Sequence, residues 1–103
     1  MWIRVGSFSV KPGSEGSLRA AYNAQAVPKV RAQPGSVACL LLEPAAPGEP
    51  HLVMTVWHDR AAAEQYEASG AAAEVVGLVR EFFAGPPTLR SYESASAGGI
   101  AGA

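Results

Sequence analysis

The run SVACLLLE, residues 36–43, constrains the fold more than any other part of the sequence. A short continuous apolar run, set between the turn signal QPG and the loop PAAPGEP, predicts a buried strand. Successive side chains of a strand alternate between faces, and apolar residues fall on both: Val37, Cys39 and Leu41 on one, Ala38, Leu40 and Leu42 on the other. A strand of this kind belongs to a sheet that is covered on both sides.

The composition limits the chain to one small globular domain. Its 103 residues are 49% hydrophobic and 17% charged, which favours a packed core over disorder. The formal net charge is −1 without a basic run, so we expect no nucleic-acid partner and no membrane surface as partner. A single cysteine and an N-terminus without a signal-peptide pattern indicate a cytoplasmic protein.

Periodicity and turn signals divide the chain into the order β-α-β-β-α-β. Strands are predicted at 2–10, 36–43, 51–57 and 88–94, and helical segments within 14–35, 59–70 and 71–85. Pro28 lies inside the first helical pattern, where it predicts a kink or an end near Val27. Ser14 and Asp59 are predicted to cap the helices that follow them.

This order is typical of an α+β, ferredoxin-like fold, an antiparallel sheet with helices on one face. We place the domain at residues 1–93 and interpret residues 94–103 as a flexible tail, because they are small and low in complexity. The helices cover one sheet face only, and so short a chain has no spare element for the other. A second copy is the simplest cover, which predicts a homodimer with its sheets packed face to face.

Three strings carry a resemblance to a known family: FSVKPG, QPGSVACLLLEP and HLVMTVWHDRAAAEQY. With them the chain resembles the antibiotic-biosynthesis monooxygenase domains, which are dimeric α+β barrels, over residues 2 to 93. The resemblance implies oxygenation of a small aromatic phenol or quinol without metal or cofactor. Some members of this family degrade haem, and the resemblance places their haem-binding positions at Gly6, Tyr66 and Val75 of this chain. None of these residues supplies the needed group, so we expect no haem chemistry.

Candidate site residues are polar or aromatic groups within or beside apolar patterns. As catalytic residues we consider His58, Asn23 and Tyr66, for proton transfer and for stabilising an anionic substrate. As substrate-binding residues we consider Tyr22, Trp57, Gly6, Arg90 and Tyr92. For each aromatic residue, packing in the core is the ordinary alternative, and for Asp59 it is the helix cap. The two histidines, His51 and His58, fall on opposite strand faces, so no metal site is expected.

Three hypotheses about function follow. The first is a cofactor-independent monooxygenase, and the second is a dimer that binds a small apolar or aromatic ligand without turnover. The third is a dimer with an interaction role and little internal space. A cavity of about 300 Å³ or more with converging polar groups would favour the first two over the third.

Overall fold

A computed structural model describes residues 1–100, which form strands and helices in the predicted order. The elements are β1 (Trp2–Phe8), α1 (Glu15–Ala21), a π-helical segment (Tyr22–Ala26), α2 (Val27–Arg31), β2 (Ser36–Leu42), β3 (His51–Trp57), α3 (Arg60–Ala68), α4 (Ala71–Val79), a 3-10 turn (Arg80–Phe82) and β4 (Thr88–Glu93). Within the described part of the chain, no helix is both long enough and apolar enough to span a membrane.

The strands form one antiparallel sheet in the order β2-β3-β1-β4. Strand β1 lies inside the sheet, where Gly6 pairs with Val53 on one side and with Leu89 on the other. Since both pairings continue in register past Gly6, this glycine does not mark a bulge. The arrangement confirms the ferredoxin-like α+β fold that the order of elements predicts.

The first helical segment is interrupted at the place where Pro28 affects it. Proline cannot donate the usual backbone bond to the residue four positions earlier, and the chain before Val27 adopts a π-helical turn. The interruption does not disturb the predicted apolar stripe, since Tyr22, Ala26 and Val30 are all buried. The wide turn therefore keeps the buried face of this helix continuous.

The two predicted helix caps differ in the structure. Asp59 has extended backbone angles, and its Oδ1 accepts a hydrogen bond of 2.9 Å from the Ala62 amide at the start of α3. The prediction of a side-chain cap at Ser14 is wrong. Its φ of −97° and ψ of 0° lie outside the extended cap geometry, so its hydroxyl makes no capping bond to α1.

The core lies between the helices and one face of the sheet. Its largest fully buried side chains are those of Trp57, Tyr22, Leu18 and Val30. Cys39 and Leu41 of β2 pack against this core from the sheet side. Their neighbours Leu40 and Leu42 pair with residues of β3 that point away from the helices, which confirms that β2 is apolar on both faces.

The opposite side, called here the outer sheet face, is covered by no helix of residues 1–100. Its side chains are mostly apolar and include Ile3, Val5, Leu40, Leu42, Leu52, Met54 and Tyr92. Leu40 is 42% exposed and Tyr92 is 50% exposed. Every residue of β4 is exposed as well. One copy of the chain therefore leaves a large apolar part of its sheet in contact with water.

The predicted tail begins where the sheet ends. Residues 94–100 contain no helix or strand. The Ser94 amide donates a 2.9 Å hydrogen bond to the Met1 carbonyl, and the Met1 amino group donates one of 2.9 Å to Ser94 Oγ. The first residue of the tail is thus bonded to the chain start, while residues 101–103 of the predicted tail lie outside the described residues.

Candidate functional site

A cavity of about 160 Å³ lies between the helix-facing side of β1 and β3 and the helices above them. Its wall is mostly apolar, with Val53, Val75, Val76, Val79, Phe83 and Leu89 among its residues. Leu89 of β4 forms part of the wall and is 54% exposed, so the wall reaches the protein surface at that edge of the sheet. Its volume is below the roughly 300 Å³ that would favour the enzyme and ligand-binding hypotheses over the interaction role for a drug-sized ligand. For this cavity, those two hypotheses therefore require a ligand as small as a single ring.

An ion pair lies in the cavity wall. Arg4, on the helix-facing side of β1, places Nη2 at 2.6 Å from Oε1 of Glu67 on α3. The Arg4 side chain is 15% exposed, which makes it a nearly buried cation. Glu67 is the carboxylate among the lining residues, so both permanent charges of the wall lie at one place. The pair can orient an anionic group and accept or share a proton there.

Tyr66 on α3 lies beside that ion pair. Its ring packs on the Trp57 ring, with 4.7 Å between centroids and 31° between planes. Burial, and secondarily the negative charge of Glu67, raises the pKa of Tyr66 to about 12, although Arg4 acts in the opposite direction. Tyr66 therefore remains protonated near neutral pH and can donate a hydrogen bond to a negatively charged oxygen.

Tyr22 forms another part of the wall, and its hydroxyl oxygen is buried without a hydrogen-bond partner among the described residues. Burial is the main cause that raises the pKa of Tyr22, and the neighbouring Cys39 thiol adds to it. Burial also raises the pKa of Cys39. Both groups are therefore neutral, and the Tyr22 hydroxyl lies beside Cys39, which is outside the cavity lining, with no surface open to the cavity.

Gly6 gives the cavity part of its space. A Cβ atom at this position would lie 3.9 Å from the Thr88 and Val53 carbonyl oxygens, an ordinary contact distance. The backbone thus does not require glycine here. Because the position faces the helices and lines the cavity, the missing side chain leaves volume for a ligand.

The eight site residues predicted from the sequence lie in three different places. Tyr22, Tyr66 and Gly6 meet at the cavity. Trp57 lies beneath it, with no exposed surface, and its Nε1 donates a buried hydrogen bond of 2.9 Å to Thr55 Oγ1. The other four lie away from the wall: Asn23 and His58 are exposed, and Arg90 and Tyr92 of β4 point to the outer sheet face.

Sequence reasoning missed the ion pair. Arg4 had a signal, since it is a charged residue inside an apolar strand pattern. Glu67 had no such sequence signal, because a glutamate on a short helix usually faces water. Only the packing of α3 on β1 brings it to Arg4. The residues that line the cavity from α4 also followed from no motif, only from the helical spacing of Val75 and Val79.

The cavity does not fit haem. Its wall has no histidine or cysteine, and the three positions that resemble the haem-binding slots are Gly6, Tyr66 and Val75. Tyr66 is the one oxygen ligand among them, and its raised pKa opposes formation of the tyrosinate that would bind iron. Across residues 1–100, no group of three or more histidine, cysteine and acidic side chains is placed to hold a metal ion.

Residues 1–78 match a family model described as antibiotic biosynthesis monooxygenase. The chain belongs to the antibiotic biosynthesis monooxygenase family. This match confirms the family predicted from the three strings. No curated protein matches the sequence.

Solved structures share the fold of this family member at low sequence identity. A Bordetella bronchiseptica protein described as an antibiotic biosynthesis monooxygenase has a TM-score of 0.78 at 23% identity, over 92% of this chain and 97% of that chain. SnoaB from Streptomyces nogalater, a cofactor-independent oxygenase, has a TM-score of 0.76 at 18% identity, over 93% and 94%. A variant of MhuD with manganese protoporphyrin IX bound has a TM-score of 0.78 at 23% identity, over 96% and 99%. These likenesses establish the architecture.

Proposed function

We propose that this family member is a cofactor-independent monooxygenase of a small, single-ring phenol or quinol, which binds in the cavity beside Arg4 and Glu67. The observation that carries the proposal is a nearly buried arginine, paired with Glu67, in a mostly apolar wall. An apolar cavity binds a ring by excluding water, and a cation in its wall favours a ring that carries an anionic oxygen.

The cavity volume restricts the substrate. An apolar cavity of about 150 Å³ in another protein holds benzene, and the cavity here measures about 160 Å³. A single aromatic ring therefore matches the space, whereas fused polycyclic rings exceed it. The expected substrates are thus simple phenols and quinols instead of fused-ring compounds.

The residues of the wall support a reaction that needs no added cofactor. The Glu67 carboxylate accepts a proton from the quinol, and Arg4 and Tyr66 stabilise the resulting anion through charge and a hydrogen bond. The electron-rich ring carbon then reduces dioxygen and forms a carbon–oxygen bond. One oxygen atom stays on the ring and the other leaves as water, so the product is a hydroxyquinone. All electrons that reduce dioxygen come from the quinol itself.

Oxygen uptake by metal-stripped protein tests this proposal. Hydroquinone, catechol and phenol are the substrates, and anthrone is the ring system that exceeds the cavity. We expect uptake above the autoxidation rate for a single-ring substrate, with label from ¹⁸O₂ in the product. Glu67→Gln should lower the rate about 100-fold or more, while the matched variant Glu64→Gln should not. Glu64 lies on the same helix, away from the cavity, where it pairs with Arg60.

A second candidate is a protein that binds the same ring without turnover. The observation in its favour is that Glu67 Oε1 already lies 2.6 Å from Arg4 Nη2, so this oxygen is occupied by the guanidinium group. Saturable binding of hydroquinone without oxygen uptake in any variant would support this candidate and contradict the oxygenase.

We also propose that two copies associate through the outer sheet face. In support, apolar residues dominate this face and Leu40 and Tyr92 are about half exposed. Soluble single chains seldom leave an apolar patch of this extent in water. A second sheet packed against the first would cover it without altering the cavity, which lies on the other side of the sheet.

A further inference from the structure

A second and larger recess, called here the loop cleft, lies where β1 and β2 end and β3 begins. Its volume is about 600 Å³, and the loop at residues 44–49 and two residues of α1, Glu15 and Arg19, line it. This volume is above the roughly 300 Å³ at which ligand-binding pockets begin. No residue lines both the loop cleft and the cavity beside Arg4, so the two are separate sites.

His51, the first residue of β3, is the buried polar residue of the loop cleft. It is 6% exposed, and its ring stacks on Phe8 with 6.0 Å between centroids and 24° between planes. Among residues 1–100, its imidazole makes no hydrogen bond. Its ring nitrogens nevertheless keep some exposed surface, because the Tyr22 hydroxyl is the one fully buried and unpaired side-chain polar atom in this range.

A nearly buried imidazole without a partner is uncommon, since native proteins pair most of their buried polar groups. The small exposed surface of His51 lies at the loop cleft, which this residue lines. A neutral imidazole offers one donor and one acceptor nitrogen. The arrangement indicates that the missing partner of His51 is a molecule that enters the loop cleft.

Carboxylates determine the charge of the loop cleft. Glu43 receives hydrogen bonds from Arg19 Nε at 3.0 Å and from Arg19 Nη2 at 2.7 Å, and it lies close to His51. The other two lining carboxylates, Glu15 and Glu49, form no ion pair with any of residues 1–100. Because carboxylates outnumber the single guanidinium group, the loop cleft attracts cations and repels anions.

The remaining wall favours a ligand with carbon atoms instead of a bare ion. Residues 44–48, with the sequence PAAPG, contribute proline and alanine side chains to the lining. Within residues 1–100, no group of histidine, cysteine and acidic side chains is placed to hold a metal ion. A molecule that combines a positive nitrogen with a short carbon chain matches the charge, the imidazole and the apolar loop together.

We propose that the loop cleft binds a small primary alkylammonium compound. Its ammonium group donates a hydrogen bond to His51 and is attracted by Glu15 and Glu49, and its carbon chain packs on the loop. The Arg19–Glu43 pair forms the charged side of the cleft and keeps anions from displacing the ligand's contact with His51 only through the excess of carboxylates around it. This binding site does not depend on the proposed oxygenase reaction.

Amide NMR signals of the full chain test the inference in the presence of a metal chelator. The probes are butylammonium, butanol and butyrate, which share a chain length and differ in charge. The titration is run at about pH 8, where alkylamines are protonated and free imidazole is neutral. We expect butylammonium to shift the signals of Gly48 and His51 but not those of Val75 and Val79 in the cavity wall. Equal binding of all three probes, or shifts confined to the cavity wall, would overturn the inference.

The variant His51→Phe keeps an aromatic ring against Phe8 and removes both nitrogens. We expect it to weaken butylammonium binding about tenfold. Unchanged affinity would overturn the role of His51.

The exposed loop variant Glu49→Gln keeps the inference testable if His51→Phe fails to fold. It should weaken binding about two- to fivefold, whereas Glu64→Gln, which removes a carboxylate on α3 that pairs with Arg60, should not. Equal affinities of Glu49→Gln and Glu64→Gln would contradict the site. Neither result bears on the oxygenase, since oxygen uptake is measured with other ligands at the other site.

Discussion

At the scale of single residues, Trp57 shows how the end of a strand becomes part of the core. Its indole is fully buried, packs on Tyr66 and donates to Thr55 Oγ1 at 2.9 Å. We expect Trp57→Phe to lower the free energy of unfolding by about 2–3 kcal/mol, through lost contacts and an unpaired Thr55 hydroxyl. Urea denaturation measures this loss.

Thr55→Val provides the matched control for Trp57→Phe, because it removes the other partner of the same hydrogen bond. If the bond matters, the double variant should lose less stability than the sum of the single losses. Strict additivity of the two losses would show that the indole N–H is not coupled to Thr55.

The buried tyrosines predict a loss of stability in alkali. Tyr66 has an ordinary pKa of 10.0 that burial raises to about 12 in the folded chain. Because the pKa of Tyr66 is higher in the folded chain than in the unfolded chain, the neutral hydroxyl stabilises the folded state. This contribution is complete below pH 10 and is lost as the pH rises from about 10 to about 12. We expect the stability of wild type to fall more steeply over this window than that of Tyr66→Phe, by about 1.4 kcal/mol per pH unit. Parallel slopes from urea denaturation would contradict the raised pKa.

The residue scale also shows the limit of reading a site from sequence. Tyr22 and Tyr66 could be found because each is a tyrosine on the buried stripe of a helix. Arg90 and Tyr92 share a strand face that sequence identifies, but sequence does not say which face meets the helices. His58 follows the last residue of β3 and precedes the Asp59 helix cap, and its exposure depends on how this turn directs its side chain.

At the scale of elements, the junction between α2 and β2 depends on Gly35. Its φ is +79°, and a Cβ there would lie 2.5 Å from the Ala62 Cβ in the first turn of α3. Gly13 has a similar φ of +83° with open space around it. We expect Gly35→Ala to cost about 2–4 kcal/mol and Gly13→Ala about 1 kcal/mol in unfolding free energy. Equal costs would mean that the contact with α3 relaxes freely.

The Asp59 cap is a separate prediction about α3. Because Asp59 Oδ1 accepts from the Ala62 amide, we expect Asp59→Ala to lower the free energy of unfolding by about 1 kcal/mol. Asp59→Asn keeps an acceptor and should lose less. Thermal unfolding of the two variants decides this, and a loss in Asp59→Asn as large as in Asp59→Ala would assign the effect to charge instead of capping.

Elements differ in how far sequence predicts them. The strands and the cap of α3 follow from local patterns, and their order gives the fold. The π-helical segment does not, because Pro28 is compatible with a kink, an end or a wide turn, and packing of Tyr22, Ala26 and Val30 selects among them. The Ser14 cap fails for a similar reason, since its backbone angles depend on the preceding turn.

At the scale of the whole molecule, the sheet separates the two surfaces to which we assign proposed functions. Its helix-facing side holds the cavity, and its outer face is available for a second copy. Two leucines of similar exposure lie on opposite sides: Leu40 on the outer face at 42% and Leu89 at the cavity edge at 54%. This pair allows the proposed dimer to be tested with one type of substitution.

We expect Leu40→Glu to give a monomer and Leu89→Glu to remain a dimer, because a buried unpaired charge opposes sheet packing only where the sheets meet. Sedimentation equilibrium at micromolar concentration measures the mass, and a monomer has 10.6 kDa. Leu89→Glu should instead weaken ring binding, since it places a carboxylate at the cavity edge. A wild-type mass of one chain would overturn the dimer. A wild-type dimer that Leu89→Glu dissociates and Leu40→Glu does not would place the interface on the helix side of the sheet.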